Sequence, residues 1–196
     1  MIVLHPELVS GSVKNLKMLK QVQHDREKIT MYHKLEDFIN DWTYESEATL
    51  KIFNNLTDES LNKRVGENVR TAGRLAWHIT TSIGEMAHRT GLKFKTVPEN
   101  SPTPTMTKEI IDAYKEASDN MISEIKENWK DDTLQEEDDM YGEKWAKGKT
   151  LGVLITHQIH HRAQLTVVMR LAGVKVPGVY GPSKEEWTQF GMVAQE

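Results

Sequence analysis

Four stretches of the chain repeat apolar residues at the three-and-four spacing of a helix, and polar or breaker-rich residues separate them. The first carries Leu35, Phe38, Ile39, Trp42, Thr49, Phe53 and Leu56, which predicts an amphipathic helix over about 32–55. The second shows Leu75, Ile79, Ile83 and Met86 on one stripe over about 71–90 and stops at Gly91. The third carries Ile110, Tyr114, Met121, Ile125 and Trp129 over about 107–129. The fourth holds Leu154, Leu165 and Val168 over about 151–171, with Thr150 as its expected cap and Gly173 just past its end. Four amphipathic helices of this length predict an all-α fold, a four-helix bundle with long inter-helix connections.

The connections differ in character. Thr57-Asp58-Glu59 predicts a cap and a short turn. Pro98, Pro102 and Pro104 lie among Asn, Ser and Thr and break any regular element. Residues 131–149 are acidic, then polar, and Met140-Tyr141-Gly142 with Trp145-Ala146 predicts an irregular segment or a hairpin over the bundle. After Gly173 the run Pro177-Gly178-Val179-Tyr180-Gly181-Pro182 forbids a helix. Ser183 with Glu186 three residues on fits a capping box for a short C-terminal helix through Trp187 and Phe190.

Composition narrows the class. The 196 residues suit one domain. Net charge is −4, with basic and acidic residues interspersed, so a nucleic-acid partner is not expected. No apolar run approaches the roughly 18–20 residues of a membrane span. There is no Cys, which excludes a disulfide framework, a thiol nucleophile and thiolate metal ligands and suits a reducing, cytoplasmic setting. Residues 1–30 lack helical patterning, and regular patterning begins near Met31. The expectation is a leader over 1–30 outside the native protein, translated from intergenic repeat DNA, and a domain over 31–196. The rival is an N-terminal arm with a helix over about 13–29.

Candidate chemistry sits in the fourth helix. Thr156-His157-Gln158-Ile159-His160-His161-Arg162-Ala163-Gln164-Leu165 holds three of the eight histidines. His157 and His161 stack one turn apart and present two imidazoles from one face. They grip a divalent metal ion, or else they are buried rings hydrogen-bonded in the core. Gln158 stands where the HExxH motif of a metalloprotease carries its Glu, which argues against that chemistry. A metal would need a third ligand from another helix, and His78 is the candidate, mid-helix beside Ser82 at the border of an apolar stripe. Three histidines and an open position form the pattern of a catalytic zinc site, and nickel accepts the same donors. Glu85-Met86-Ala87-His88 matches ExxH, but a di-iron bundle needs two such motifs and only one is found. His88 reads as a surface residue. Trp77 projects away from the His78 stripe and is expected to face a partner subunit, with packing under a loop as the rival.

Leu75-Ala76-Trp77-His78-Ile79, the histidine motif from His157 to Leu165 and the tail from Pro177 to Pro182 together resemble the DinB family. The resemblance covers 31 to the C-terminus. It implies a four-helix bundle whose metal is held by one His of the second helix and an HxxxH pair of the fourth, here His78, His157 and His161. It also implies a homodimer. Ala163 stands where the family often has Gly, a small-for-small change. His160 falls outside the implied ligand set, roughly 60° round the helix from His157. Arg162 is expected to pair with an acidic residue of another helix. The wider DinB-like superfamily implies metal-dependent enzymes that activate low-molecular-weight thiols. The expectation is therefore a zinc- or nickel-dependent enzyme acting on a small molecule, by thiol S-transfer or hydrolysis. The alternative is a non-catalytic metal-binding protein of the damage or stress response. No Glu or Asp in the fourth-helix motif supplies a general base, which leaves Glu85 of the second helix as the candidate.

Overall fold

The structure, a computed structural model, describes residues 31–194. The expected leader over 1–30 and the rival helix within it lie outside the described residues. Four long helices form the bundle: α1 (Leu35–Phe53), α2 (Ala72–Arg89), α3 (Thr107–Asn128) and α4 (Lys147–Leu171). A one-turn helix, Asp58–Leu61, links α1 towards α2. Its start is set by a capping box in which the Thr57 N–H donates to Ser60 Oγ at 3.0 Å and the Ser60 N–H to Thr57 Oγ1 at 3.3 Å. Among the described residues no helix is long and apolar enough to cross a membrane.

The predicted stripes meet in one core. Phe38, Trp42 and Phe53 of α1 pack with Ile79 and Ile83 of α2, Tyr114, Met121 and Ile125 of α3, and Leu154 and Leu165 of α4. Each such side chain contributes about 1.5–3 kcal/mol when fully buried. Several polar atoms drawn into this core are paired: Trp42 Nε1 donates to Ser118 Oγ at 2.9 Å, and the Tyr114 hydroxyl to Gln158 Oε1 at 2.6 Å, although the Gln158 Nε2 has no partner.

Two expectations are corrected and a third is refined. Helix α4 begins at Lys147, a turn's length before Thr150, with Ala146 as its uncapped N-terminal neighbour. The strand before it runs straight into the helix, and Gly148 and Gly152 are helical and buried rather than breakers. Trp77 does not face a partner: it is 3 % exposed and lies under the Pro-rich connection, where its Nε1 donates to the Ser101 carbonyl at 3.0 Å. That loop covers the flank of α2 that the helical pattern leaves without a partner element. The short C-terminal helix is present as a 3-10 helix over Trp187–Phe190, with Glu186 rather than Ser183 at its N-terminal cap position. Glu186 accepts from the Ser183 N–H as a capping residue would and also from the Gly178 N–H, each at 3.0 Å, so it braces the tail as well.

The acidic connection after α3 is a hairpin. β1 (Glu137–Met140) pairs antiparallel with β2 (Glu143–Ala146), with Met140 opposite Glu143. The two-residue turn has φ of 60° at Tyr141 and 87° at Gly142, the left-handed pair that matches strand twist. Tyr141 bears the left-handed strain that a glycine would avoid, and it projects from the turn over α2.

Candidate metal centre

Helices α2 and α4 lie side by side, and their contact line carries the histidines. Thr71 caps α2 by accepting from the Arg74 N–H at 3.2 Å, which sets the register that aims His78 at α4. His157 and His161 meet it from one turn of α4. His78 Nε2 lies 3.2 Å from His161 Nε2. One ligand nitrogen from each of His78, His157 and His161 lies within 4.8 Å of the other two, and the three residues could hold a metal ion. Ring centroids are 4.4 Å apart for His78–His161 and for His157–His161, and 5.0 Å for His78–His157.

Burial decides the charge of the cluster. All three rings are half-buried. His78 and His157 are pushed down to about 4, first by desolvation and then by neighbouring histidines. His161 is lowered too, chiefly by desolvation, against a hydrogen bond to Gln164 that opposes the shift. At neutral pH the rings are uncharged and their lone pairs are free to coordinate. The His157 Nδ1 atom is buried with no hydrogen-bond partner. Neutral imidazoles that converge this closely, with one nitrogen unsatisfied, fit a borderline divalent ion such as zinc or nickel.

Gln164 organises the outer side. Its Oε1 lies 2.8 Å from His161 Nδ1, and its Nε2 lies 3.0 Å from His160 Nε2. Donation from His161 Nδ1–H to that oxygen leaves the Nε2 lone pair aimed at His78. His160 is exposed and stands outside the converging group. The sequence offered one signal for Gln164, its place three and four residues after His161 and His160, but not its role.

Arg162 points the other way, towards α1. It is 3 % exposed, and its Nη2 sits 2.5 Å from Glu45 Oε2. It also donates to the Glu45 carbonyl, Thr49 Oγ1 and the Tyr180 hydroxyl. The expected acidic partner is thus Glu45, and the pair anchors the C-terminal tail through Tyr180, whose hydroxyl donates to the same carboxylate.

Two clefts are lined by the histidines, one by His78 and His157 and the other by His161. The smaller, about 340 Å³, is lined by His78, His157, Ser82, Glu85, Glu99 and Tyr141, among others. Glu85 Oε2 accepts from the Tyr141 hydroxyl and its Oε1 from Arg89 Nε, both at 2.7 Å. The Arg89 guanidinium also lies 4.6 Å over the Tyr141 ring. Burial and the Glu85 carboxylate push Tyr141 up to about 12, so it stays a donor. The larger cleft, about 510 Å³, is lined by His161 and Gln164 with Asn68, Arg70 and an apolar wall. Tyr141, Glu99 and Arg70 come from connections without periodicity, so nothing in the helical pattern marked them. His88 is exposed and contacts the Phe94 carbonyl at 3.1 Å, and among the described residues the group of His, Asp and Glu placed to hold a metal ion is His78, His157 and His161 and does not include the ExxH pair.

Comparison with known proteins agrees with this architecture. The DinB family profile matches residues 31–196. The uncharacterized protein YrdA of Bacillus subtilis (strain 168) is 44% identical over 164 residues, spanning 84% of this chain and 98% of YrdA. A DinB-like protein from Bacillus cereus ATCC 10987 has a similar structure, with a TM-score of 0.74 at 42% identity, over 76% of this chain and 100% of that one. The DinB-like protein YjoA of Bacillus subtilis shares the fold with a TM-score of 0.57 at 18% identity, over 73% and 97% of the two chains.

Proposed function

The chain belongs to the DinB family, and from that premise we propose that it is a metal-dependent enzyme in which His78, His157 and His161 hold a divalent ion and a small-molecule thiol is the nucleophile. The observation that carries the reading is the convergence of three neutral imidazoles from two helices, each of them lining a cleft. Three protein ligands leave a coordination position for an incoming molecule, whereas a structural site closes with four. A divalent ion held there lowers the pKa of a thiol or water and so supplies a nucleophile near neutral pH.

The rest is done by the chain. Glu85, on the wall beside His78 and His157, takes the thiol proton on its carboxylate. Tyr141 and Arg89 hold that carboxylate in place. Gln164 keeps His161 in the tautomer that presents Nε2. The sulfur forms its new bond to an electrophilic carbon of the second substrate, and the leaving group departs with the bonding electrons. Hydrolysis uses the same groups with water in place of the thiol.

The test is thioether formation between 2-mercaptoethanol and an aryl halide, followed optically with zinc- or nickel-loaded protein. The expected result is an acceleration that is lost in the metal-free protein and in His157→Ala. Stoichiometric metal with no acceleration of thiol transfer or ester hydrolysis would favour the non-catalytic, metal-binding reading instead.

A further inference from the structure

The apolar residues of α4 do not confine themselves to one face. Leu151, Leu165 and Met169 are buried, yet Val167 and Leu171 are 57 % and 61 % exposed. Gln158 and Arg162, by contrast, are 2 % and 3 % exposed. Val167 follows Gln158 by nine residues and Leu171 follows Arg162 by nine, so at about 100° per residue each exposed apolar side chain stands opposite a buried polar one. Burial of apolar surface has no direction of its own, and a modest rotation of such a helix exchanges one apolar side chain for another.

The polar pair does have direction. Gln158 Oε1 accepts from the Tyr114 hydroxyl of α3 at 2.6 Å. Arg162 Nη1 donates to the Glu45 carbonyl at 2.9 Å and to Thr49 Oγ1 at 3.1 Å, both on α1, and Nη2 pairs with the Glu45 carboxylate. The amide is kept although its Nε2 has no partner, a cost that an apolar residue would avoid. Gln158 directly follows His157, and Arg162 directly follows His161. Any turn of α4 that moves the anchors moves the imidazoles through the same angle. At the roughly 5–6 Å radius of its side-chain tips, a rotation of about 10° displaces an atom by about 1 Å. Metal–nitrogen distances tolerate only about 0.2 Å. We propose that Gln158 and Arg162 are positioning residues that fix the rotation of α4 at which His157 and His161 face His78. The inference rests on the reading that these three histidines hold a divalent ion.

The test replaces both partners of each anchor by apolar side chains, in Tyr114→Phe/Gln158→Met and in Glu45→Met/Arg162→Met. Exchanging both members of a buried polar pair disturbs stability far less than removing one. Ile125→Ala, a change at a buried α3 residue that belongs to neither anchor, is the destabilised control. Cobalt(II) is titrated into each metal-free full chain, its visible absorption is recorded, and Tm is measured without metal. The expected result is that both paired variants bind cobalt about tenfold more weakly than the wild type and with an altered absorption band. Ile125→Ala lowers Tm but keeps the wild-type affinity and band. Wild-type affinity and band in either paired variant overturns the proposal, and so does an equal loss of affinity in Ile125→Ala. In those cases the metal reading stands and the positioning role alone falls. If the wild type takes up no cobalt, both fall together.

Discussion

Helix α4 carries two polar clusters, one buried towards α1 and one half-buried towards α2, and they are built differently. On the face towards α1, Arg162 donates to Glu45, Thr49 and Tyr180, and the Glu45 carboxylate accepts from both Arg162 and Tyr180. Donors meet acceptors there, and the cluster is complete within the protein. On the face towards α2, His78 and His161 bring two Nε2 atoms to 3.2 Å, and His157 Nδ1 has no partner. A fold that selected only for stability would pair or remove such groups, because an unsatisfied buried polar atom costs about 1–3 kcal/mol. The contrast separates a cluster whose donors and acceptors are matched within the protein from one whose nitrogens could hold a metal ion.

The largest expected effect comes from breaking the complete cluster. Arg162→Met leaves Glu45 buried without its cation and should cost about 3–5 kcal/mol of unfolding free energy, measured by urea denaturation. The paired variant with Glu45→Met should recover most of that loss. If Arg162→Met is nearly neutral, the ion pair is not the structural element described here.

The histidine cluster should respond to metal rather than to truncation. Zinc at about a hundredfold over its Kd should stabilise the wild type by about 2.7 kcal/mol, seen as a rise in Tm. His157→Ala should show no such rise. Its metal-free Tm should stay close to that of the metal-free wild type.

Acid sharpens the same comparison. His78 and His157 are lowered from 6.5 to about 4 in the folded state. The unfolded chain therefore binds protons first as pH falls. Their contribution to stability is fully present above pH 6.5 and is lost as pH drops towards 4. Metal release should follow the same window, since protonated imidazole does not coordinate. Denaturation of metal-free wild type and His78→Ala between these limits should show a steeper pH dependence in the wild type.

The smallest effects test the outer side of the centre. Gln164→Leu should weaken zinc affinity about tenfold, because His161 loses the group that sets its tautomer. His160→Ala should leave metal content nearly unchanged, and loss of the ion there would contradict its place outside the cluster. Competition with a chromophoric chelator reads both.

Much of this was legible because helices repeat. The periods of Leu75, Ile79 and Ile83 and of Leu154, Leu165 and Val168 mark the two helices that meet, and His157 and His161 share a face by spacing alone. That His78 comes within reach of them depends on packing between helices, which periodicity does not encode, although the family resemblance pointed to it. The start of α4 was hidden because no capping residue marks it and two glycines precede its regular pattern. Trp77 was misassigned because helical spacing shows which way a side chain projects but not which loop folds over it. Tyr141 and Arg70 lie in a hairpin turn and a connection, where position is set by tertiary contacts and no repeat exists to extrapolate.

The most direct measurement is metal content, by mass spectrometry of the elements, of protein purified without a metal-affinity tag. Wild type and His78→Ala are compared, each as isolated and after reconstitution with zinc. The account predicts about one equivalent in the wild type and almost none in His78→Ala, as expected for a site with three protein ligands on two helices. A wild type that takes up no metal even on reconstitution, or a His78→Ala variant that retains a full equivalent, would contradict it.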